Sequence, residues 1–297
     1  MDTVHAGQFL GLPPRALEEA EAVVLPLPFE RTVSCGRGTG RAPAAVLEAS
    51  CQVEFFDEEA LVDFEQGPPL HTAAPLRLYG ALPGCLEAVR EFVARAGGKF
   101  VLALGGEHTV TYGVVTGLAQ SPDELTIVQV DAHADLRDEL DGLRWSHGTV
   151  MRRLCERGFR IIQVGVRSLA RAEYEFLRSE EKVRTFYACE LPGVWQEAME
   201  TLRSLTGDLY LTVDVDGLDP CVLPSTGTPE PGGLSWQQTM ELIRTAASAP
   251  NCRFVGADIV EFVPSPIAPG CDVAAARLAA KVLAFWARGR RAAGGNV

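Results

Sequence analysis

The stretch Asp131-Ala-His133-Ala-Asp135 follows the apolar run Thr126–Val130, and Asp214-Val-Asp216 follows Leu209–Val213. Short runs of aliphatic and β-branched residues read as buried strands. A strand has a side-chain period of two, so residues 131, 133 and 135 are expected on one face, as are 214 and 216. Burying several Asp and His at strand ends is costly unless something cationic pairs with them. A metal is the obvious cation, and the number of carboxylates suggests more than one.

The rest of the chain repeats the strand signal. Val23–Phe29, Phe100–Leu104, Leu125–Val130, Arg160–Val166, Val183–Tyr187, Leu209–Val215 and Phe254–Val260 read as strands. They lack clean polar/apolar alternation, which fits strands covered on both faces of a parallel sheet. Helical patterns lie between them. One stripe runs through Leu86, Val89, Val93 and Ala96 and is closed by Gly97-Gly98. Another runs through Leu278, Val282 and Phe285 and ends in Arg288, Arg290 and Arg291, cations suited to the negative end of a helix dipole. Strands alternating with helices predict an α/β fold with a mainly parallel sheet. No linker or repeat divides the chain, so one domain over 1–297 is expected. In such sheets the ligand site lies beyond the carboxyl ends of the strands.

Composition narrows the function. The net charge is −12, whereas nucleic-acid binding needs a basic face. No stretch approaches the roughly 18 apolar residues of a membrane span. The first residues, Met-Asp-Thr-Val-His, lack the basic start of a signal peptide. The eight cysteines form no Cys-x-x-Cys pair and read as reduced thiols of a cytoplasmic protein.

Three of the five histidines stand beside motif-like sequence: His108 in Gly105-Gly-Glu-His-Thr109, His133, and His147 in Ser146-His-Gly-Thr149. His108 follows a strand and a Gly-Gly turn, which places it at the same sheet edge as the acidic runs. Three strand ends are thus expected to deliver His108, Asp131, His133, Asp135, Asp214 and Asp216 to one place. Four carboxylates are balanced by two divalent cations. Carboxylate plus imidazole without thiolate favours an ion such as Mn²⁺ over structural Zn²⁺. A water shared by two such ions becomes acidic enough to act as a nucleophile near neutral pH.

The runs GGEHT (105–109), DAHAD (131–135), SHGT (146–149), TVDVDGLDP (212–220) and TGTPEPGG (226–233) resemble those of the ureohydrolase family of arginases and agmatinases, in order and spacing from about residue 20 to 285. The resemblance implies a three-layer α-β-α fold, two Mn²⁺ ions per subunit, homotrimers or homohexamers, and hydrolysis of a guanidino group to urea and an amine. It implies that the six residues just named are the metal ligands. Glu261 matches the guanidinium-binding glutamate, and a planar guanidinium suits a carboxylate. His147 matches the proton-shuttle histidine, as an imidazole titrating near neutrality can. Glu107 departs from the aspartate common beside this histidine and reads as a partner that orients a ligand side chain. Thr228 either hydrogen-bonds near the ligand loop or the guanidinium, or merely shapes a turn.

The substrate's tail is less marked. Arginases carry an asparagine two residues after this DxHxD run, where this chain has Arg137. The loop 135–146 looks more like that of agmatinases. Agmatine, hydrolysed to putrescine and urea in polyamine biosynthesis, has an amine tail that suits acids such as Asp138, Glu139 or Asp141. Arg137 suits a carboxylate tail if it points inward, and is a surface salt bridge if it pairs with a neighbouring acid. Aminopropylagmatine, guanidinobutanoate and arginine stay open as substrates. A formimino-group hydrolase and a non-catalytic metal-binding homologue are the rival classes.

Overall fold

The computed structural model describes residues 5–119 and 121–292; residues 1–4, the start of the segment read as lacking a signal peptide, lie outside them. Among the described residues ten strands form: β1 (Ala22–Leu27), β2 (Phe56–Asp57), β3 (Val62–Asp63), β4 (Leu70–Thr72), β5 (Phe100–Gly105), β6 (Leu125–Val130), β7 (Arg160–Val166), β8 (Val183–Tyr187), β9 (Thr206–Asp214) and β10 (Asn251–Val260). Eight strands make one sheet in the order β4-β1-β5-β10-β9-β6-β7-β8, and every pairing in it is parallel. β2 and β3 pair separately as a short antiparallel ribbon. All seven sequence-predicted strands are present. β4 escapes the sequence reading because its three residues, Leu-His-Thr, are too few for a pattern.

The helices are α1 (Ala42–Ser50), α2 (Leu82–Arg95), α3 (Val110–Leu118), α4 (Val150–Glu156), α5 (Arg171–Leu177), α6 (Leu191–Arg203), α7 (Trp236–Ala247) and α8 (Gly270–Ala292). They cover the sheet on both sides. Val24, Leu102, Leu104 and Val130 face one core with side chains of α1, α6, α7 and α8. Their alternates Val23, Leu25, Val101, Ala103 and Ile127 face the other with α2, α3 and α4. The pleat's period of two therefore persists, but both phases are apolar, which is why alternation is missing from the sequence. The result is the expected three-layer α-β-α architecture.

Two predicted helix ends can be checked. Gly97 and Gly98 follow α2 with φ of 64° and 79°, the left-handed geometry of a helix stop. At the end of α8, Arg288 donates to the Glu59 carbonyl at 2.6 Å and Arg290 pairs with Glu21. These arginines thus tie the helix to distant chain as well as facing its dipole. All eight cysteines are free. No described helix is long and apolar enough to cross a membrane.

Candidate metal centre and its cleft

The four central strands β5, β10, β9 and β6 end side by side, with Val130 beside Val213 and Val260 beside Asp214. Their carboxyl ends carry the acidic runs. The residues converge, but not by the pleat expected from the sequence. β6 stops at Val130, and Asp135 adopts φ of 52°, so residues 131, 133 and 135 lie beyond the strand in irregular chain, where His133 keeps an isolated parallel bridge to Ser168. Asp214 is the last residue of β9, whereas Asp216 belongs to the single 3₁₀ turn Val215–Gly217. The carboxylates themselves shape these segments. Asp131 accepts the His133 N–H at 2.6 Å, Asp214 accepts the Asp216 N–H at 2.9 Å, and Asp216 accepts the Ala132 N–H at 3.1 Å.

Two groups of side chains result, each with its donor atoms within 4.8 Å of one another: His108, Asp131 and Asp135, and Asp131, His133 and Asp216. Asp131 belongs to both. Its Oδ2 lies 3.2 Å from His108 Nδ1 and its Oδ1 lies 3.7 Å from His133 Nδ1. His108 Nδ1 also lies 3.0 Å from Asp135 and 3.5 Å from Asp214, and His133 Nδ1 lies 3.0 Å from Asp216.

The electrostatics fit a cation. His108 Nδ1 is buried without a hydrogen-bond partner, an atom aimed at the middle of three carboxylates. Burial and the charge of Asp131 push Asp135 up to about 7. Burial opposes the charged form of His133, yet the adjacent carboxylates of Asp131 and Asp216 carry it up to about 12. Burial and its acidic neighbours push Asp214 well above the usual carboxylate range. Without added positive charge the cluster retains protons. Divalent ions would displace them, and the hard oxygen and imidazole donors suit such ions.

A cleft of about 250 Å³ opens above this cluster, and Glu261, His147, Thr228, Arg137 and Glu173 are among the residues that line it. Glu261 follows β10 directly with φ of 60°, a costly geometry for a non-glycine residue and one often found at functional sites. Its N–H bonds the Gly106 carbonyl at 2.8 Å and its Oε1 accepts the His108 N–H at 2.7 Å. Burial raises its pKa well above the ordinary value. His147 opens a 3₁₀ turn before α4, and burial lowers its pKa. Thr228 donates to Asp216 Oδ2 at 3.2 Å, so its hydroxyl serves the ligand loop.

Other expectations are corrected. Asp138 does not line the cleft; its side chain is 64% exposed and held by Arg153 at 2.8 Å and Arg144 at 3.6 Å. Its charge is already matched by two arginines, which removes it as a tail-binding acid. Arg137 satisfies both of its alternatives: it lines the cleft and its Nε lies 3.7 Å from Glu173. Glu107 orients no ligand side chain. Its carboxylate takes the backbone N–H groups of Arg31 and Thr32 and the hydroxyls of Thr32 and Thr109.

Three supporting groups carry no sequence signal. Buried Glu173 accepts the N–H groups of Leu136 and Ala170, at 2.9 and 2.7 Å, and so fixes the end of the acidic run. Its Ala170-x-x-Glu173 spacing lacks the Ser or Thr that marks a capping box. Gln129 donates to Asp131 at 2.7 Å and is itself held by Gln163 at 2.6 Å. Arg167 donates to the carbonyls of Asp216 at 2.6 Å, Glu230 at 2.8 Å and Gly165 at 2.9 Å.

Known proteins share both fold and sequence. The model of the Arginase family matches residues 20–285. An N(1)-aminopropylagmatine ureohydrolase from Synechocystis sp. is 35% identical, over 92% of this chain and 91% of its own. An agmatinase from Bacillus anthracis is 30% identical, over 97% and 99%. The crystal structure of the agmatine ureohydrolase of Thermoplasma volcanium superposes with a TM-score of 0.85 at 28% identity, covering 94% of each chain. With the acidic cluster lying where the strands of this shared fold end, the chain belongs to the arginase family, as an agmatinase-like hydrolase of guanidino C–N bonds.

Proposed function

We propose that the chain hydrolyses the guanidino group of an agmatine-type amine, releasing urea, with two Mn²⁺ ions held by His108, Asp131, His133, Asp135, Asp214 and Asp216. The observation that carries this reading is Asp131, which offers one oxygen to each of two donor groups in a family of binuclear metal enzymes. When bound, the ions supply Lewis-acid activation of water and neutralise the carboxylates. The protein's own groups do the rest. Glu261 takes the guanidinium, whose planar fork matches a carboxylate. Burial favours the neutral acid of Glu261 in an empty cleft, and a guanidinium beside it restores the carboxylate. His147, kept largely neutral by burial, passes a proton to the departing amine. Thr228 holds Asp216 in place.

The same reading takes residues 1–297 as one ureohydrolase domain of a cytoplasmic homotrimer or homohexamer. Agmatine is the first substrate to test. Its aminopropyl derivative is a specific second reading, because relatives named N(1)-aminopropylagmatine ureohydrolase reach 35–36% identity while those named agmatinase reach 28–30%. Urea release from agmatine, aminopropylagmatine, guanidinobutanoate and arginine, measured side by side with added Mn²⁺, tests the assignment. The two amine-tailed substrates are expected to exceed the two carboxylates in kcat/KM by about tenfold or more, a difference of about 1.4 kcal/mol. Arginine as the best substrate would overturn the amine-tail assignment.

A further inference from the structure

Glu107 is fully buried beside the centre yet belongs to neither donor group. Its Oε2 accepts two backbone N–H groups, from Arg31 and from Thr32 at 2.7 Å. Its Oε1 accepts the hydroxyl of Thr32 at 2.6 Å and that of Thr109 at 2.5 Å. Every donor points at the carboxylate, so Glu107 acts only as an acceptor. The consequence appears one residue further out. Thr32 Oγ1 lies 3.2 Å from the His147 backbone nitrogen and 3.4 Å from its Nδ1. On the other side of the ring, Ser34 Oγ lies 3.2 Å from Nε2.

We propose that Glu107, acting through Thr32, fixes His147 in its Nδ1–H tautomer and so makes Nε2 the atom that exchanges protons with the substrate. A threonine hydroxyl has one proton. Here that proton is given to Glu107, which leaves Thr32 Oγ1 with lone pairs only toward His147. The backbone N–H of His147 meets one, and Nδ1 must carry a hydrogen to meet the other. Nε2 then holds the ring's lone pair, with the Ser34 hydroxyl free to donate to it. Both Ser34 and His147 line the cleft, whereas Glu107 and Thr32 do not. Glu107 and Thr32 are therefore positioning residues.

The inference rests on the shuttle role proposed for His147, and the proton balance is consistent with it. In hydrolysis a C–O bond forms to water and the C–N bond to the amine breaks. A proton given up by the water reaches Nε2 and then the amine nitrogen. Delivery returns His147 to the Nδ1–H form, the tautomer that the relay stabilises.

Two measurements separate the relay from the shuttle. The first is the ¹⁵N spectrum of the full chain labelled in its histidine rings, at about pH 8, above the ordinary imidazole range, where His147, lowered by burial, is neutral. The His147 signals are identified by their loss in His147→Asn. The Nδ1–H tautomer is expected, and an Nε2–H tautomer would overturn the proposal. Glu107→Gln places an amide donor against Thr32, reverses the bond polarity and should move His147 toward Nε2–H; an unchanged tautomer there overturns the relay.

The second measurement is kinetic, on the Mn²⁺-loaded protein with agmatine. Glu107→Gln should lower kcat by about 100-fold with KM and metal content unchanged. Loss of metal instead would mean that Glu107 acts through His108, which sinks the relay. Thr32→Val should match Glu107→Gln, and Thr32→Ser should restore most of the lost kcat. Serine performing no better than valine would show that the hydroxyl is not the active feature. If His147→Asn retains full kcat, the shuttle role alone fails, and the tautomer spectrum still decides the relay.

Discussion

Asp131 is the residue on which the proposed centre turns. It is fully buried at the end of β6, and its two oxygens face different histidines. Gln129 and the His133 N–H hold it there. Asp216, in contrast, belongs to one donor group only. The two positions therefore differ in expected effect. Asp131→Asn keeps the shape but should weaken both ions, whereas Asp216→Asn should weaken chiefly one. Bound metal per chain, measured after equilibrium dialysis, checks this; equal losses in the two variants would contradict the bridging role. The acids were legible in the sequence because an apolar strand must pair any charge it ends on. Their geometry was not. The period of two suggested a strand face, while in fact the carboxylates capture neighbouring N–H groups, the first run leaves the strand as irregular chain and the second enters a 3₁₀ turn. The same limit explains Asp138: sequence shows an acid near the site but not the arginines that already hold it.

At the level of elements, the site depends on loops held by one arginine. Arg167 follows β7 directly and bonds the carbonyls of Asp216 and Glu230, clamping the end of β9 to the loop that carries Thr228. Its partners are backbone carbonyls 49 and 63 residues away, so no residue pattern in the sequence announces the contact. Arg167→Met leaves the aliphatic stem and removes the donors. The freed carbonyls should let the Asp216 turn drift and weaken metal binding by about 10- to 100-fold, the usual size of such supporting contacts. Circular dichroism should stay unchanged, because β7 and β9 keep their pairings to β6. Unaltered metal affinity would show that the turn holds without its clamp. Helix ends were more legible: Gly97-Gly98 closes α2 as read, because a helix stop needs only local backbone geometry.

On the scale of the whole molecule, the sequence reveals strands and helices but not the order of the sheet. β10, the last strand, inserts between β5 and β9. That insertion places Glu261 against His108, 153 residues earlier. Such a contact has no local signature, and Glu261 itself was singled out only through the family resemblance.

The buried charge also sets how the molecule responds to pH. His133 rises from its ordinary 6.5 to about 12, so its stabilising contribution is full below about 6.5 and is lost as pH climbs toward about 12. Asp135 rises from 3.8 to about 7 and acts in the same direction, its contribution lost between those values. Asp131 is lowered, burial being outweighed by its two histidines, so its contribution is lost only as pH falls below the ordinary carboxylate range. Metal-free protein should therefore lose Tm steadily as pH rises from about 5 to about 9. Saturating divalent metal replaces those protons and should flatten or reverse the slope. Parallel slopes with and without metal, followed by thermal denaturation, would mean that the cluster does not bind ions as proposed.

The central claim is hydrolysis of a guanidino group at a two-ion centre, and a metal titration reaches it most directly. Metal-free protein is titrated with Mn²⁺ while bound ions and urea release from agmatine and aminopropylagmatine are measured on the same samples. Two ions per chain are expected, with urea release from at least one of the two amines rising as the second site fills. Binding of two ions without urea from either amine, or urea release from metal-free protein, would contradict the account.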